Sequence, residues 1–276
     1  MENFTLITGA TGGLGKAFAD ECAKRGDNLV ISGTKQERLD ALKKEINSEY
    51  PDIKIVAKAC DLSSDQDRVN FFEFIKSQKI NINFLINNAG LIVEGDFINM
   101  SDEDALKVIK VNCEGTVDFT QKVIKMRDER MQLHIITVAS LAGYYPMPHM
   151  AMYAATKAML KSFMVALALE MKDKNVFITT VCPSGIYTSD AMKEAIKAQG
   201  FNGRITANTP EEVAEFALKA SKKHKIIVVP KAVNRFVKFI SKFPSEKSLA
   251  KTTGRMWKKS QDKRNIKEYI KGEKYE

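Results

Sequence analysis

A glycine-rich turn near the N-terminus constrains the fold of this chain more than any other feature of its sequence. Residues 8–15 read Thr-Gly-Ala-Thr-Gly-Gly-Leu-Gly, between a strand-like run at Phe4–Thr8 and a helical pattern at Gly15–Arg25. Glycines let the backbone approach a pyrophosphate closely, and a helix N-terminus presents free N–H groups and a partial positive charge. The turn fits both TGxxxGxG and GxxGxxG, and it predicts a dinucleotide site contacted by Gly9, Thr11, Gly12, Gly13, Leu14 and Gly15.

Short apolar runs alternate with helical patterns along most of the chain. The runs are nearly continuous and rich in β-branched residues, which suits parallel strands buried on both faces. Strands are predicted at Phe4–Thr8, Asn28–Ser32, Ile53–Ala57, Ile82–Ile86, His134–Val138, Val176–Val181 and Ile226–Val229. Helices are predicted at Gly15–Arg25, Gln36–Ser48, Ser64–Lys76, Asp102–Met126 and Met150–Met171, and after an N-cap at Thr209. The alternation predicts an α/β fold, a doubly wound parallel sheet of about seven strands (a Rossmann fold) in a single domain.

The net charge of +9 comes from the C-terminal end of the 276-residue chain. Residues 231–276 hold 14 Lys and Arg against 5 Asp and Glu, whereas residues 1–230 hold 29 of each sign. A nucleic-acid-binding domain usually carries its positive charge near a recognition motif. No such motif is visible, so no nucleic-acid partner is expected. We divide the chain into a dinucleotide-binding catalytic part, residues 1–230, and a basic helical extension of the same domain, residues 231–276.

Targeting and metal-binding signals are absent from the sequence. No apolar run approaches the roughly 18 residues that span a membrane, and the N-terminus lacks the cationic and apolar segments of a signal peptide. The four cysteines are scattered, which favours reduced, buried thiols, and the three histidines are equally dispersed, so no metal site is predicted. We expect a cytoplasmic protein whose basic tail is available for weak, peripheral contact with a membrane surface.

The residues after the second predicted strand contact the adenine ribose in folds of this kind. An acidic side chain at this place accepts a hydrogen bond from the 2′-hydroxyl and favours NAD. Here residues 32–36 read Ser-Gly-Thr-Lys-Gln, and Thr34 and Lys35 offer charge-assisted hydrogen bonds to a 2′-phosphate. NADP(H) is therefore favoured over NAD(H). Asp61 and Leu62, just past the third strand, are predicted to lie beside the adenine.

A tyrosine and a lysine are spaced for proton transfer. Tyr153 and Lys157 lie four residues apart on an Ala- and Met-rich helical segment, so they share one face. A neighbouring ammonium favours the phenolate, so we expect Lys157 to lower the pKa of Tyr153 from its ordinary value near 10. Tyr153 would then be a usable proton shuttle. Ser140, at the end of the fifth strand, is predicted to bond the substrate oxygen, and Asn112 to hold a water that links Lys157 to solvent.

The order and spacing of these motifs resemble the short-chain dehydrogenase/reductase family in its non-extended form, over about residues 3–230. The resemblance rests on Thr8–Gly15, in the TGxxxGxG spacing, on Asn87-Asn88-Ala89-Gly90, and on Asn112, Ser140, Tyr153 and Lys157. It implies that Asn88, Ala89 and Gly90 flank the cofactor and that Lys157 bonds the nicotinamide ribose. It also implies that Pro183, Ile186 and Thr188 close over the nicotinamide, although Ser184 interrupts the family's usual Pro-Gly. Family members are often dimers or tetramers, which implies a homo-oligomer.

The substrate region is predicted to be apolar. Its candidates are Leu91, Ile92, Phe97, Tyr144, Tyr145 and Pro146, with Met192 and Ile196 on a predicted lid over residues 188–203. His149 precedes Tyr153 by one turn and is interpreted as a surface or packing residue. The resemblance leans toward reductases of bulky apolar ketones, of the hydroxysteroid dehydrogenase and 3-oxoacyl reductase types.

The tail has two interpretations. A stripe at i, i+3, i+4 and i+7 predicts a helix over residues 230–243 that covers the substrate cleft or a partner subunit, and it consists of Val233, Phe236, Val237, Ile240 and Phe243. The alternative is an interfacial helix attracted to anionic lipid. The lysine-rich residues 257–276 are predicted to be solvated or frayed.

Three functions remain open from the sequence, and the third of them is a membrane- or nucleic-acid-binding role centred on the tail. The first is an NADP(H)-dependent oxidoreductase that interconverts a hydrophobic ketone and a secondary alcohol. The second is a non-catalytic NADP(H)-sensing regulator of the same fold. A pure sensor needs neither the tyrosine nor the lysine, so the sequence favours the first.

Overall fold

The computed structural model describes residues 2–266, which form one α/β domain around a seven-stranded parallel sheet. The strands are β1 (Asn3–Thr8), β2 (Asn28–Gly33), β3 (Ile55–Ala59), β4 (Asn81–Asn87), β5 (Leu133–Val138), β6 (Val176–Val181) and β7 (Ile227–Val228). They lie in the order β3-β2-β1-β4-β5-β6-β7. The order reverses between β1 and β4, which is where such sheets bind ligands. The predicted doubly wound sheet is confirmed.

Helices cover both faces of this sheet. They are α1 (Gly13–Ala23), α2 (Gln36–Glu49), α3 (Asp65–Ser77), α4 (Asp102–Ile109), α5 (Thr116–Met126), α6 (Ala151–Glu170), α7 (Asp190–Ala198), α8 (Gly200–Thr206), α9 (Pro210–Lys222), α10 (Ala232–Ile240) and α11 (Glu246–Lys263). One core lies under α1, α2 and α9 and contains Phe18 and Leu39. The other lies under α3, α5 and α6 and contains Phe71, Phe119 and Met164.

Helix α6 is the one helix of residues 2–266 that is long and apolar enough to cross a membrane. In this fold it instead packs against β6 and carries the buried side chain of Lys157. A third of its most apolar 18-residue window is buried, while Met159 and Leu169 on the same helix are exposed.

Most predicted elements are found within two residues of their predicted ends. Strand β3 begins later than predicted because Ile55, rather than Ile53, pairs with Leu29 of β2. The predicted start of α9 is confirmed by a capping box, in which Thr209 and Glu212 bond each other's backbone N–H groups. The helix predicted over residues 102–126 is interrupted by a π-helical turn at Lys110–Gly115.

The C-terminal segment is more ordered than predicted. Helix α11 continues to Lys263, and Trp257, Ser260 and Gln261 on it are buried. The indole of Trp257 packs with Met147 and Met150, which accounts for the order. The prediction of a solvated or frayed segment from residue 257 is therefore wrong as far as residue 266, and residues 267–276 lie outside the described part of the chain.

Candidate active site

A cavity of about 1160 Å³ lies at the carboxyl edge of the sheet, beside the loops that follow β1 and β4. The predicted residues that line it are Gly9, Thr11, Gly12, Gly13, Leu14, Gly15, Thr34, Lys35, Asp61, Leu62, Asn88, Ala89, Gly90, Ser140, Tyr153, Lys157, Pro183, Ile186 and Thr188. Asn112 is predicted for the site but does not line the cavity, and its side chain is fully buried behind the wall. The fold thus brings residues from the six loops that follow β1 to β6, and from helices α1 and α6, to one place.

The glycine turn forms a cradle of bare backbone. Gly9 has a φ of +63°, which disfavours a side chain, and a Cβ on Gly13 would lie 2.8 Å from the carbonyl oxygen of Thr188. A Cβ on Gly15 would overlap the carbonyl oxygen of Gly9, whereas one on Gly12 would make an ordinary 3.6 Å contact. The structure therefore requires glycine at the TGxxxGxG positions. Gly12 is the N-cap of α1 and has no side chain to cap it, so the first N–H groups face the cradle.

Thr8 and Asn88 join the glycine turn to the loop after β4. The Thr8 hydroxyl accepts hydrogen bonds from the backbone N–H groups of Asn88 and Ala89, both at 3.1 Å. In return, the Asn88 amide donates to the carbonyl oxygens of Thr8 and Gly9, at 3.1 and 3.0 Å. The two loops are therefore held as one unit. Thr8 is part of the sequence motif, but the sequence analysis did not predict that its hydroxyl connects the two loops.

The end of β2 supplies cations to the cavity. Thr34 and Lys35 line the cavity as predicted, and Arg38, on the first turn of α2, lines it beside them. Arg38 was not predicted, although its i, i+3 spacing from Lys35 could have shown it. Asp61 lines the same region, and its carboxylate accepts from the backbone N–H and hydroxyl of Ser63, at 2.8 and 2.7 Å.

Tyr153, Lys157 and Ser140 meet on the opposite side of the cavity. The Lys157 ammonium lies 5.7 Å from the centre of the Tyr153 ring and donates to the carbonyl oxygen of Val138 at 2.8 Å. Ser140 follows β5, and its hydroxyl accepts from the backbone N–H of Ala142 at 3.1 Å. Two hydroxyl groups and one ammonium thus border the same space.

The pKa shifts of this group differ from the sequence prediction. Burial raises the pKa of Tyr153, and a hydrogen bond with Ser140 acts in the opposite direction. Burial also lowers the pKa of Lys157 to about 8. The expectation that Lys157 lowers the pKa of Tyr153 is therefore wrong for the protein without its cofactor. The physical reason is that desolvation disfavours both charged forms, while the ammonium bonds a backbone carbonyl and not the phenol.

The side chain of Asn112 hydrogen-bonds neighbouring protein groups and does not face the cavity. It lies in the π-helical turn, and its amide group bonds the backbone N–H and carbonyl of Leu91, at 2.7 and 3.0 Å. Its Nδ2 also donates to the Thr156 hydroxyl at 3.0 Å, and that hydroxyl donates to the carbonyl of Tyr153 at 2.8 Å. Asn112 therefore ties the loop after β4 to the helix that carries Tyr153. Thr156 was missed by the sequence analysis, because its role depends on packing between α6 and the π-helical turn.

The loop after β6 reaches across the cavity to the glycine cradle. Ile186 forms a bridge with Asn208, and the backbone N–H of Thr188 donates to the carbonyl of Ile186 at 2.8 Å. The inserted Ser184 is used inside this loop, where its hydroxyl donates to the carbonyl of Thr206 and accepts from Asn234. The extra residue therefore connects the loop to α8 and α10.

The apolar wall of the cavity is only partly as predicted. Leu91, Ile92, Tyr145, Met192 and Ile196 line the cavity, together with Met147 and Met150, which were not predicted. Phe97, Tyr144 and Pro146 do not line it, so these three predictions are wrong.

Each of the three wrong residues has another environment. Phe97 is 60% exposed on a short 3₁₀ turn, and Pro146 is exposed. The Tyr144 ring packs between the ammonium groups of Lys161 and Lys238, which lie 4.1 and 4.7 Å from its centre. Tyr144 therefore joins helices α6 and α10.

The C-terminal helices close the far side of the cavity. Met256 and Trp257 of α11 line it, and Trp257 packs in one cluster with Tyr153. Helix α11 is held there by a buried ion pair, in which Arg264 Nη1 lies 3.1 Å from a carboxylate oxygen of Glu94. The Thr253 hydroxyl also donates to the carbonyl of Pro146 at 2.8 Å. The substrate side of the site is therefore built in part from the last described helix.

The predicted apolar stripe of the tail is divided by the structure. Val233 and Val237 line the cavity, as a helix over the cleft would require. Phe236, Ile240 and Phe243 are exposed instead. His149 does not line the cavity, and its Nδ1 lies 2.6 Å from a carboxylate oxygen of Asp96, which agrees with its interpretation as a packing residue.

The residues present fit a nicotinamide dinucleotide. The bare backbone of Gly9–Gly15 is a cradle that any Cβ at Gly13 or Gly15 would fill, and it suits a pyrophosphate. Thr34, Lys35 and Arg38 lie at the end of the cavity that the adenosine would take. The buried Lys157 offers the kind of donor that a ribose hydroxyl accepts.

Comparison with known protein families agrees with this geometry. The model of the family described as short chain dehydrogenase matches residues 3–200. The chain is 33% identical to the 3-oxoacyl-(acyl-carrier-protein) reductase of Aquifex aeolicus over 220 residues, which cover 78% of this chain and 88% of that protein. It is 34% identical over 182 residues to the very-long-chain 3-oxoacyl-CoA reductase of Neurospora crassa, of which it spans 54%.

Solved structures show the same fold. A 7β-hydroxysteroid dehydrogenase superposes with a TM-score of 0.81 at 24% identity, covering 91% of this chain and 96% of that chain. A short-chain dehydrogenase from Sphingobium yanoikuyae in complex with NADPH superposes with a TM-score of 0.74, at 24% identity and over 88% and 93% of the two chains.

Proposed function

Because the chain belongs to the short-chain dehydrogenase family of NAD(P)-dependent oxidoreductases, we propose that it uses NADP(H) to reduce a hydrophobic ketone to a secondary alcohol. The observation that carries the proposal is the meeting of the Ser140 and Tyr153 hydroxyls and the Lys157 ammonium in one cavity. The glycine cradle forms one side of that cavity, and apolar side chains form the other. The substrates that we favour are of the 3-oxoacyl or hydroxysteroid type.

The proton chemistry follows from the two hydroxyl groups. When bound, the reduced dinucleotide supplies a hydride to the carbonyl carbon. Ser140 holds the carbonyl oxygen, and Tyr153 donates its proton to that oxygen as negative charge develops. In the reverse reaction the same phenol oxygen would accept the proton of the alcohol, so one residue serves both directions. Lys157 would hold the ribose of the bound dinucleotide. Its positive charge would stabilise the phenolate that proton transfer leaves on Tyr153.

The preference for NADP(H) rests on the residues after β2. Thr34, Lys35 and Arg38 line the cavity together, and two cations and a hydroxyl suit a 2′-phosphate. The sequence places no acidic residue at positions 33–36, where one would accept from a 2′-hydroxyl. Fluorescence titration is expected to show tighter binding of NADPH than of NADH. Equal or reversed affinities would contradict the cofactor assignment.

The hydrophobic substrate is inferred from the wall opposite the cradle. Ile92, Met147, Met150 and Trp257 line the cavity, and burial against these large apolar side chains favours an apolar substrate body. A panel of a 3-oxoacyl thioester, a steroid ketone and a short water-soluble ketone, followed by NADPH absorbance, tests this assignment. Turnover of the short ketone alone would contradict it.

The variant Tyr153→Phe tests the reaction itself. We expect kcat to fall by about 10²–10⁴-fold because the proton donor is lost, while the Kd of NADPH changes little. Tyr50→Phe is the matched control, because Tyr50 bonds Glu49 at the surface away from the cavity. Near-normal turnover by Tyr153→Phe would refute the mechanism. Wild-type protein that binds NADPH but turns over no member of the panel would instead favour the non-catalytic sensor.

A homo-oligomer is part of the proposal on family grounds, as a dimer or a tetramer. Light scattering of the purified protein measures the number directly. A monomer at micromolar concentration would contradict this part alone and leave the proposed reaction unaffected.

A further inference from the structure

The outer face of α10 exposes large apolar side chains to water. Phe236 is 61% exposed, Phe239 55%, Ile240 44% and Phe243 73%. Phe236, Phe239 and Ile240 share one face of α10, and the ring of Phe243, in the turn after the helix, packs edge-to-face on Phe239 with 5.3 Å between ring centres. We call these four side chains the aromatic face. Large apolar side chains are stabilised by removal from water, so a cluster of four in contact with water indicates a surface that binds a partner or a lipid.

Helix α8 extends this surface. Phe201 on α8 is 69% exposed and Ile205 is 39% exposed. The two helices are connected by Asn234, whose amide donates to the carbonyl of Thr206 at 2.9 Å. Helix α8 therefore adjoins α10 and carries two further exposed apolar side chains.

The same pair of helices forms part of the cavity wall. Val233 and Val237 of α10 line the cavity, and they lie next to the aromatic face around the helix. Ile205 of α8 both lines the cavity and is exposed, so the cavity wall reaches the surface at this place. An apolar molecule leaving the aromatic face would therefore have Ile205, Val233 and Val237 beside it where it enters the cavity.

Positive charge is concentrated in the segment that carries the aromatic face. Residues 231–259 contain nine Lys and Arg and one acidic residue, Glu246. Arg235 and Lys242 are exposed on α10 and the loop after it, and Lys247 and Lys251 are exposed on α11. Aromatic side chains flanked by lysines are typical of a helix that lies in the interface of an anionic membrane. An interface between copies of the chain would instead be depleted of lysine.

We propose that the aromatic face of α10, with Phe201 of α8, docks the protein on the surface of an anionic lipid bilayer. The phenylalanines enter the boundary between headgroups and acyl chains, and the cations of the same segment contact the lipid phosphates. Docking places the exposed part of the cavity wall against the lipid, so that a hydrophobic substrate reaches the site without crossing water. This last step rests on the proposed function, whereas the docking itself does not.

Vesicle co-sedimentation tests the docking without any measurement of activity. Full-length protein is mixed with vesicles of phosphatidylcholine alone or of phosphatidylcholine with phosphatidylglycerol. We expect binding to the anionic vesicles, and weaker binding as salt rises from about 0.01 to about 0.15 M, because the screening length falls. Absence of binding to anionic vesicles at low salt would overturn the proposal.

Three variants separate the contributions of the face. Phe236→Ser with Phe239→Ser and Phe243→Ser should weaken binding by at least about tenfold, and Lys242→Glu with Lys247→Glu should weaken it at low salt only. Leu169→Ser is the matched control, because Leu169 is 62% exposed on α6, outside this surface, and should bind as the wild type does. Equal binding by the triple variant and the control would refute the proposal.

Two further readouts keep the outcomes distinct. If the triple variant changes the oligomeric state in light scattering and wild-type protein does not bind vesicles, the face is an interface between copies and the proposal fails. Turnover of a water-soluble ketone without vesicles should be the same for the triple variant and the wild type. Failure of the docking is therefore distinguishable from failure of the proposed reaction.

Discussion

The buried ammonium of Lys157 destabilises the folded protein, and the change of this effect with pH can be calculated. Its ammonium is buried, and the lowering of its pKa from 10.5 to about 8 corresponds to about 3 kcal/mol of destabilisation of the charged form. Below pH 8 the lysine is charged in both the folded and the unfolded chain, so the folded state bears the whole cost. Between about pH 8 and pH 10.5 the unfolded chain holds more protons, and stability rises with pH. Above pH 10.5 the lysine is neutral in both states and the cost is gone.

The variant Lys157→Met removes the charge and keeps most of the volume. The free energy of unfolding of the variant minus that of the wild type should be about 3 kcal/mol larger at pH 7 than at pH 10.5, because the variant is spared the cost of the buried charge. The carbonyl of Val138 loses a hydrogen-bond donor in the variant, which costs about 1–3 kcal/mol. The lost hydrogen bond lowers the stability of the variant by a similar amount at every pH. The test is therefore how the stability difference between variant and wild type changes with pH.

Urea unfolding of the cofactor-free wild type and variant, at several pH values across this window, measures the difference. Lys172→Met, at an exposed position, controls for the general effect of replacing a lysine. A wild-type-to-variant difference that stays constant from pH 7 to pH 10.5 would refute the reasoning. It would mean that water or a counter-charge stabilises the ammonium in the folded protein.

Two further perturbations test the construction of the site. Gly13→Ala would place a Cβ 2.8 Å from the carbonyl oxygen of Thr188, so the Kd of NADPH should rise at least about tenfold with a stability loss of about 1–3 kcal/mol. Gly26→Ala, in an exposed turn outside the cavity lining where the added Cβ meets nothing within 4 Å, is the control; its positive φ lowers stability, but the Kd of NADPH should not change. Arg264→Met breaks the buried ion pair with Glu94 and should lower the free energy of unfolding by about 3–5 kcal/mol in urea titrations. An Arg264→Met protein as stable as the wild type would show that α11 is held by its apolar contacts alone.

Local sequence patterns predicted the sheet and the cofactor side of the site. Strand positions follow from β-branched runs, and the glycine spacing follows from the backbone geometry that a phosphate cradle needs. Tyr153 and Lys157 share a face because a helix repeats every 3.6 residues. Each of these predictions depends on residues close together in the chain, which is why sequence alone could make them.

The features that sequence reasoning missed depend on contacts between distant residues. Nothing near residue 112 shows that the helix opens into a π-helical turn, because Asn112 is bonded to Leu91 and Thr156. The order of α11 depends on Glu94, which lies 170 residues from Arg264 along the chain. The raised pKa of Tyr153 results from burial by several elements together, whereas the i, i+4 spacing showed only its nearest charge.

Trp257 lines the cavity but lies outside the part of the chain that the family model matches. The family match ends at residue 200, yet helices α8, α10 and α11 supply a wall of the substrate cavity. Mutations in those helices can therefore reshape what the cavity accepts while the proton-transfer group and the cradle stay intact. Relatives that share the first 200 residues are expected to share their chemistry and to diverge in substrate through this last segment. Swapping it between two such proteins would exchange specificity without rebuilding the reaction.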